Sequence, residues 1–129
     1  MPEAEGDSFQ RLPDDAVVVR GGLMSAADLS LGAQTHFDAE GAYALSVFSV
    51  PGKTADEIAR GVPLPHSMIR ESTVGRLRAA GYDVVSSLGP PGHADLILPD
   101  PPTDDDWQAL DKTFDAARPS PATMRGDDA

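Results

Sequence analysis

Arg70, Ser72, Thr73 and Arg76 fall within the seven residues "RESTVGR" (70–76), and His66 lies four residues upstream of Arg70. A helix opening at Ser72 or Thr73 would present free backbone N–H groups and a hydroxyl where its dipole already favours an anion. Arg70 would stand just ahead of that terminus and Arg76 about one turn inside it. Such a grouping could hold a phosphate or a nucleotide. The competing reading is a solvated helix face, with Arg76 and Arg78 exposed and Arg70 paired to Glu71 or to an acidic tail. Replacing Arg70 and Arg76 together by alanine is expected to weaken anion or nucleotide binding selectively while changing stability by less than about 1 kcal/mol.

A second cation, Arg20, closes the β-branched run "VVVRGG" (17–22). This stretch resembles the strand–Arg–Gly opening of ADP-ribosyltransferases, and "LSVFSVPG" (45–52) would correspond to their second, Ser/Thr-bearing strand. The resemblance covers about fifteen residues and implies that Arg20 contacts a cofactor phosphate or ribose. The family's later-strand glutamate is missing, because "GHADLILP" offers Asp95 or His93 in its place. The binding set read from the sequence is therefore Arg20, Arg70, Ser72, Thr73 and Arg76, with His66, Arg70 and Arg20 as the catalytic candidates.

The three histidines, His36, His66 and His93, suggest a further possibility, a metal-free ribonuclease. Imidazoles can exchange protons with a ribose 2′-OH while an arginine stabilises the charged phosphorane. That chemistry requires the rings to converge in space. His36 sits beside Phe37 on an apolar stripe and reads as a packed residue, and His93 reads as an exposed strand start. His66, with cationic and polar neighbours, is the best placed for function.

Other chemistries find little support. No cysteine is present, which removes disulfides, thiolate catalysis and cysteine-based zinc sites. The sequence contains no HExxH, EF-hand, Walker, GxGxxG or GxSxG pattern. "TDDDW" (103–107) gathers carboxylates, but successive residues of a first helical turn point apart and serve better as helix-starting charges. Neither a metal nor a cofactor is called for.

These side chains must be positioned by a chain of 129 residues with 40% hydrophobic content, enough for one domain and one core. Its formal net charge is -11. Residues 16–95 hold eight acids and six bases, so the acidity concentrates toward the two ends. A charge of this sign opposes nonspecific DNA binding and anionic membranes and favours a basic protein partner. There is no apolar run of membrane-spanning length and no basic, apolar leader, so a cytoplasmic location is the default expectation. Eight arginines against two lysines, with no asparagine, suggest a high-GC bacterial genome more than a demand for arginine chemistry.

Element signals are clear in places. "AVVVRGG" and "AYALSVFSV" read as strands. Ser25 with Asp28 opens a helix that Gly41 ends, and Thr54 with Glu57 forms a capping box for a short one. The prolines of "VPLPHSMIRES" suggest a loop entering a short extended piece near Met68 and Ile69. A second short helix starts at Ser72 or Thr73 and ends at Gly81. Two strands flank "GPPG", the second alternating Ala94, Leu96 and Leu98 with His93, Asp95 and Ile97. Thr103 opens a final helix with Trp107, Leu110 and Phe114 on one stripe. The order predicts an α+β (mixed α/β) domain over 12–118, with one small sheet of four or five strands and helices packed on it. Tails at 1–11 and 119–129 are expected to be disordered.

Two function classes fit. One is a small noncatalytic interaction module binding a basic partner, which the charge and the lack of specific motifs favour. The other is a toxin-like enzyme domain, as found in toxin–antitoxin systems, that takes a phosphate-bearing ligand or RNA. Convergence of Arg20, His66, Arg70 and Arg76 in one pocket would favour the second, and their scatter over different faces would count against it.

Overall fold

The computed structural model describes residues 12–62, 66–87 and 91–121. The element order is β1 (Val17–Gly21), α1 (Ala26–Glu40), β2 (Ala44–Phe48), α2 (Ala55–Gly61), β3 (Met68–Thr73), α3 (Val74–Ala79), β4 (Val84–Ser86), β5 (His93–Ile97), α4 (Asp104–Thr113) and β6 (Arg118–Pro119). All strand pairs are antiparallel in one six-stranded sheet ordered β4-β5-β2-β1-β3-β6. The fold is α+β, with one strand more than the upper expectation. The extra strand is β6, only two residues long, which carries no periodic signal and pairs with Met68 and Ile69.

The helix starts form where local chemistry sets them. The Ser25 hydroxyl accepts from the Asp28 N–H, and Gly41 closes α1 at φ 80°, the left-handed conformation that glycine adopts without a Cβ penalty. Thr54 and Glu57 complete the capping box of α2. Thr73, not Ser72, caps α3 by accepting from the Arg76 N–H.

Strand alternation divides the core in two. Val18, Leu45, Val47, Val84, Ala94 and Leu96 point to one side, where they meet Leu29 and Ala33 of α1, Val74 and Leu77 of α3, and Trp107, Leu110 and Phe114 around α4. A smaller cluster joins Val19 and Ile69 to Ala55, Ile58 and Ala59 of α2. Burial of this apolar area is the main favourable term in holding sheet and helices together.

β3 is the main departure from the sequence pattern. The short extended piece expected near Met68 and Ile69 is a six-residue internal strand running through Thr73. Its inward positions on the larger-core side are Arg70 and Ser72, both buried, so its period-2 pattern does not show as hydrophobicity. The packed chain also runs past Arg118: Ser120 and Pro121 are buried, and the Ser120 N–H bonds the Ser67 carbonyl at 2.8 Å. The tail expectations for 1–11 and 122–129 lie outside the described residues.

Candidate functional site

Arg20 and Arg70 stand opposite each other in the β1–β3 register, and their surroundings differ completely. Arg70 is built into the structure. Its Nε donates to the Asp115 carbonyl at 2.8 Å, and its Nη2 to the carbonyls of Asp111 and Phe114 at 2.8 and 2.9 Å. Its Nη1 meets the Asp111 carboxylate at 2.6 Å and the Leu23 carbonyl at 3.3 Å. The guanidinium thus collects the free carbonyls at the end of α4, which a helix C-terminus leaves without partners. Ser72 does similar work, donating to the Thr113 carbonyl at 2.8 Å.

The remaining cations of the stretch also serve the fold. Arg76 pairs with Asp115 at 3.0 Å, and Arg78 bridges Asp14 at 2.7 Å and Asp83 at 2.8 Å. Thr73 spends its hydroxyl on the α3 cap. Arg70, Ser72, Thr73 and Arg76 therefore do not form a phosphate cradle with His66. The reason is geometric: residues 70–73 are strand, so Arg70 and Ser72 face α4 instead of flanking a helix terminus.

Arg20 does face a cavity. An open cleft of about 1140 Å³ is lined by Arg20 together with all three histidines. One wall is α1, whose Asp28, Gly32, Thr35, His36 and Ala39 recur at the three- and four-residue spacing of a single helical face. The floor is one face of β2, β5 and β4. Phe48 pairs with His93, Ser46 with Asp95 and Asp95 with Val85, so their side chains share that face, and Ser87 continues it beyond β4. Gly21, Gly22 and His66 form the third side.

Arg20 sits where pairing between β1 and β2 gives out beyond Val19↔Phe48. Its Nη1 donates to the Ser46 carbonyl at 2.6 Å, while its buried Nε has no hydrogen-bond partner. Among the described residues no carboxylate forms an ion pair with it. Burial pushes the guanidinium pKa below its ordinary value, with Asp28 opposing that shift from a distance. Gly32 makes room for it: a Cβ there would come within 3.1 Å of Arg20 Nη2.

Each histidine is held differently. His36 Nδ1 lies 2.7 Å from the Ala42 carbonyl, which can only accept, so the Nδ1 proton is fixed and Nε2 is turned toward Asp95 at 3.6 Å. His93 Nδ1 is hydrogen-bonded to Ser87 Oγ, and the ring meets Phe48 edge-on at 5.6 Å. His66 lies across Gly21, where any Cβ would collide with its ring. Only glycine at 21 admits the imidazole at that height.

Of the candidates read from the sequence, Arg20 and His66 line the cleft, and Arg70, Ser72, Thr73 and Arg76 do not. His36, expected as a packed stripe residue, is half-buried and still lines the cleft, as does His93, expected as merely exposed. Ser46, from the strand likened to the Ser/Thr-bearing one, also lines it, as do Ser87, which no motif marks, and Asp28, which the sequence marks only as part of a helix start. Asp95 and His93, which stand where the ADP-ribosyltransferase resemblance asks for a glutamate, both belong to the floor. Among the described residues no group of three or more acidic or histidine side chains is arranged to hold a metal ion, and no helix is long and apolar enough to cross a membrane. No protein-family model matches the chain, and no match emerges among the curated proteins or the solved structures.

Proposed function

We propose that the protein binds a small phosphate-bearing ligand, of about nucleotide size, in the cleft between α1 and the β2–β5–β4 floor. The observation that carries this reading is Arg20. A desolvated cation is costly unless something compensates its charge. Arg70, Arg76, Arg78 and Arg118 are all compensated by carboxylates. Arg20 keeps an unsatisfied N–H and a charge without a carboxylate partner among the described residues, at the edge of an open cleft. A guanidinium in that state suits the planar, bidentate recognition of a phosphate. At about 1140 Å³ the cleft is slightly larger than the roughly 300–1,000 Å³ usual for small-molecule sites, which leaves room for a nucleotide.

Three imidazoles around the same cleft supply proton donors and acceptors, which keeps the toxin-like, RNA-cleaving form of this reading in view. The test is calorimetric titration with inorganic phosphate, AMP and the dinucleotide UpA. Binding of at least one is expected, weakened about tenfold or more in Arg20→Gln and unchanged in Arg76→Ala. Failure of all three to bind, or equal binding by Arg20→Gln, rules the reading out.

A second reading, the noncatalytic module for a basic partner, rests on the net charge of -11 and on the exposed Asp104 and Asp105 of α4. It requires association that weakens steeply with salt and is indifferent to Arg20.

A further inference from the structure

The far end of the cleft holds a serine and a histidine in direct contact. Ser87 and His93 face each other in the next register position beyond Ser86↔Ala94, where the Ser87 N–H reaches the His93 carbonyl at 3.3 Å. The Ser87 hydroxyl contacts His93 Nδ1, and both residues line the cleft. The Phe48 ring stands edge-on to the imidazole and restricts its rotation. A hydroxyl in hydrogen-bond contact with an imidazole held against a neighbour is the arrangement that activates a serine nucleophile.

We propose that Ser87 is a nucleophile and His93 its general base, in an ester-cleaving site whose substrates carry an anionic group held by Arg20. The anchor half of this proposal rests on the phosphate-ligand reading; the nucleophile half does not. The register sets the substrate's span. Ser87 prolongs β4, and Ser46, whose carbonyl Arg20 binds, lies on β2, two strands away through β5. Ser87 is level with His93 and Phe48, and Ser46 lies two residues further along β2, so the offset is about 10 Å across the strands and about 7 Å along them. The substrate class is therefore an ester with its negative group about 12 Å from the reacting carbonyl.

The step balances without a cofactor. Ser87 Oγ forms a bond to the carbonyl carbon as its proton passes to His93 Nδ1. The bond from that carbon to the leaving oxygen then breaks, and His93 returns the proton to the departing alcohol. Water repeats the sequence on the acyl-serine, releasing the acid and restoring Ser87. His36 and Asp95 belong to the cleft but not to this step.

Full-length protein is treated with diisopropyl fluorophosphate, which bonds a reactive serine through phosphorus with loss of fluoride, and the adduct is located by peptide mass mapping. A single adduct at Ser87 is expected, absent in Ser87→Ala and formed at least about tenfold more slowly in His93→Gln. Thermal melts confirm that both variants fold. Ser87→Cys gives an independent measure, since its alkylation by chloroacetamide should be faster with His93 in place than in the His93→Gln background. No adduct at Ser87, or an adduct formed as fast in folded His93→Gln, overturns the nucleophile. The anchor is read separately by comparing the 4-nitrophenyl monoester of sebacic acid with uncharged 4-nitrophenyl decanoate. Wild type should prefer the charged ester about tenfold or more, and Arg20→Gln should lose that preference while still labelling at Ser87. Labelling without any charge preference overturns the anchor alone.

Discussion

Arg70→Ala should be among the most destabilising single changes in this chain, although its sequence context suggested a surface cation. The side chain is 7% exposed and makes five hydrogen bonds, to four backbone carbonyls and the Asp111 carboxylate. Asp111 and Asp115 are exposed, so water can replace the lost donor at their carbonyls, and the salt bridge itself is discounted because Asp111 is 63% exposed. The Phe114 carbonyl is bonded in a buried setting and cannot be rescued so easily. One buried carbonyl left unsatisfied costs about 1–3 kcal/mol, and the remaining charge-assisted bonds and the lost stem packing bring the total to about 3–5 kcal/mol. Arg76→Ala loses one ion pair whose partners are 43% and 58% exposed, worth about 0–1 kcal/mol. The assay is urea unfolding of both variants, followed by Trp107 fluorescence, with the midpoint and slope compared with wild type. Arg70→Met, which keeps the apolar stem, should recover only the packing share. If Arg70→Ala costs no more than Arg76→Ala, the clamp on the end of α4 is not a stabilising element and the argument fails.

Two further outcomes follow from the packing of α4. Trp107 is 6% exposed within the larger core, so Trp107→Ala should cost about 3–5 kcal/mol by calorimetry or denaturant titration, and a near-neutral result would mean α4 does not depend on that contact. Tyr82 is raised above the ordinary tyrosine range, first by burial and then by its 2.7 Å hydrogen bond to Asp106. A raised folded pKa stabilises the protonated form, so this contribution is complete below about pH 10, where an unfolded tyrosine titrates, and is lost as the pH climbs toward the folded value. Unfolding free energy measured from pH 9 upward should therefore fall in wild type and fall less steeply in Tyr82→Phe; identical slopes would remove Tyr82 from the account.

Local chemistry was readable from the chain alone. Ser25 and Thr54 carry their cap chemistry in their own side chains, Asp106 reaches back to the Thr103 N–H, and the Trp107, Leu110 and Phe114 stripe declares its buried face by spacing. β5 declares its buried face by alternation, with Ala94 and Leu96 inward, while β1 and β2 were legible from their β-branched and apolar content. β3 was not legible, because the larger-core side of that strand is filled by Arg70 and Ser72, whose burial depends on carbonyls that α4 delivers from more than forty residues away. The candidate site was legible only in its parts. Arg20 and Arg70 are the same residue type on paired strands, and nothing local distinguishes a cation that clamps a helix end from one left facing a cleft. The register of β2 with β5, which places His93 beside Phe48 and Asp95 beside Ser46, and the packing of α1, which brings His36 over Asp95, decided that the three histidines line one cleft with Arg20. Convergence of this kind is set by long-range pairing and helix docking, which a linear pattern of residue types does not encode.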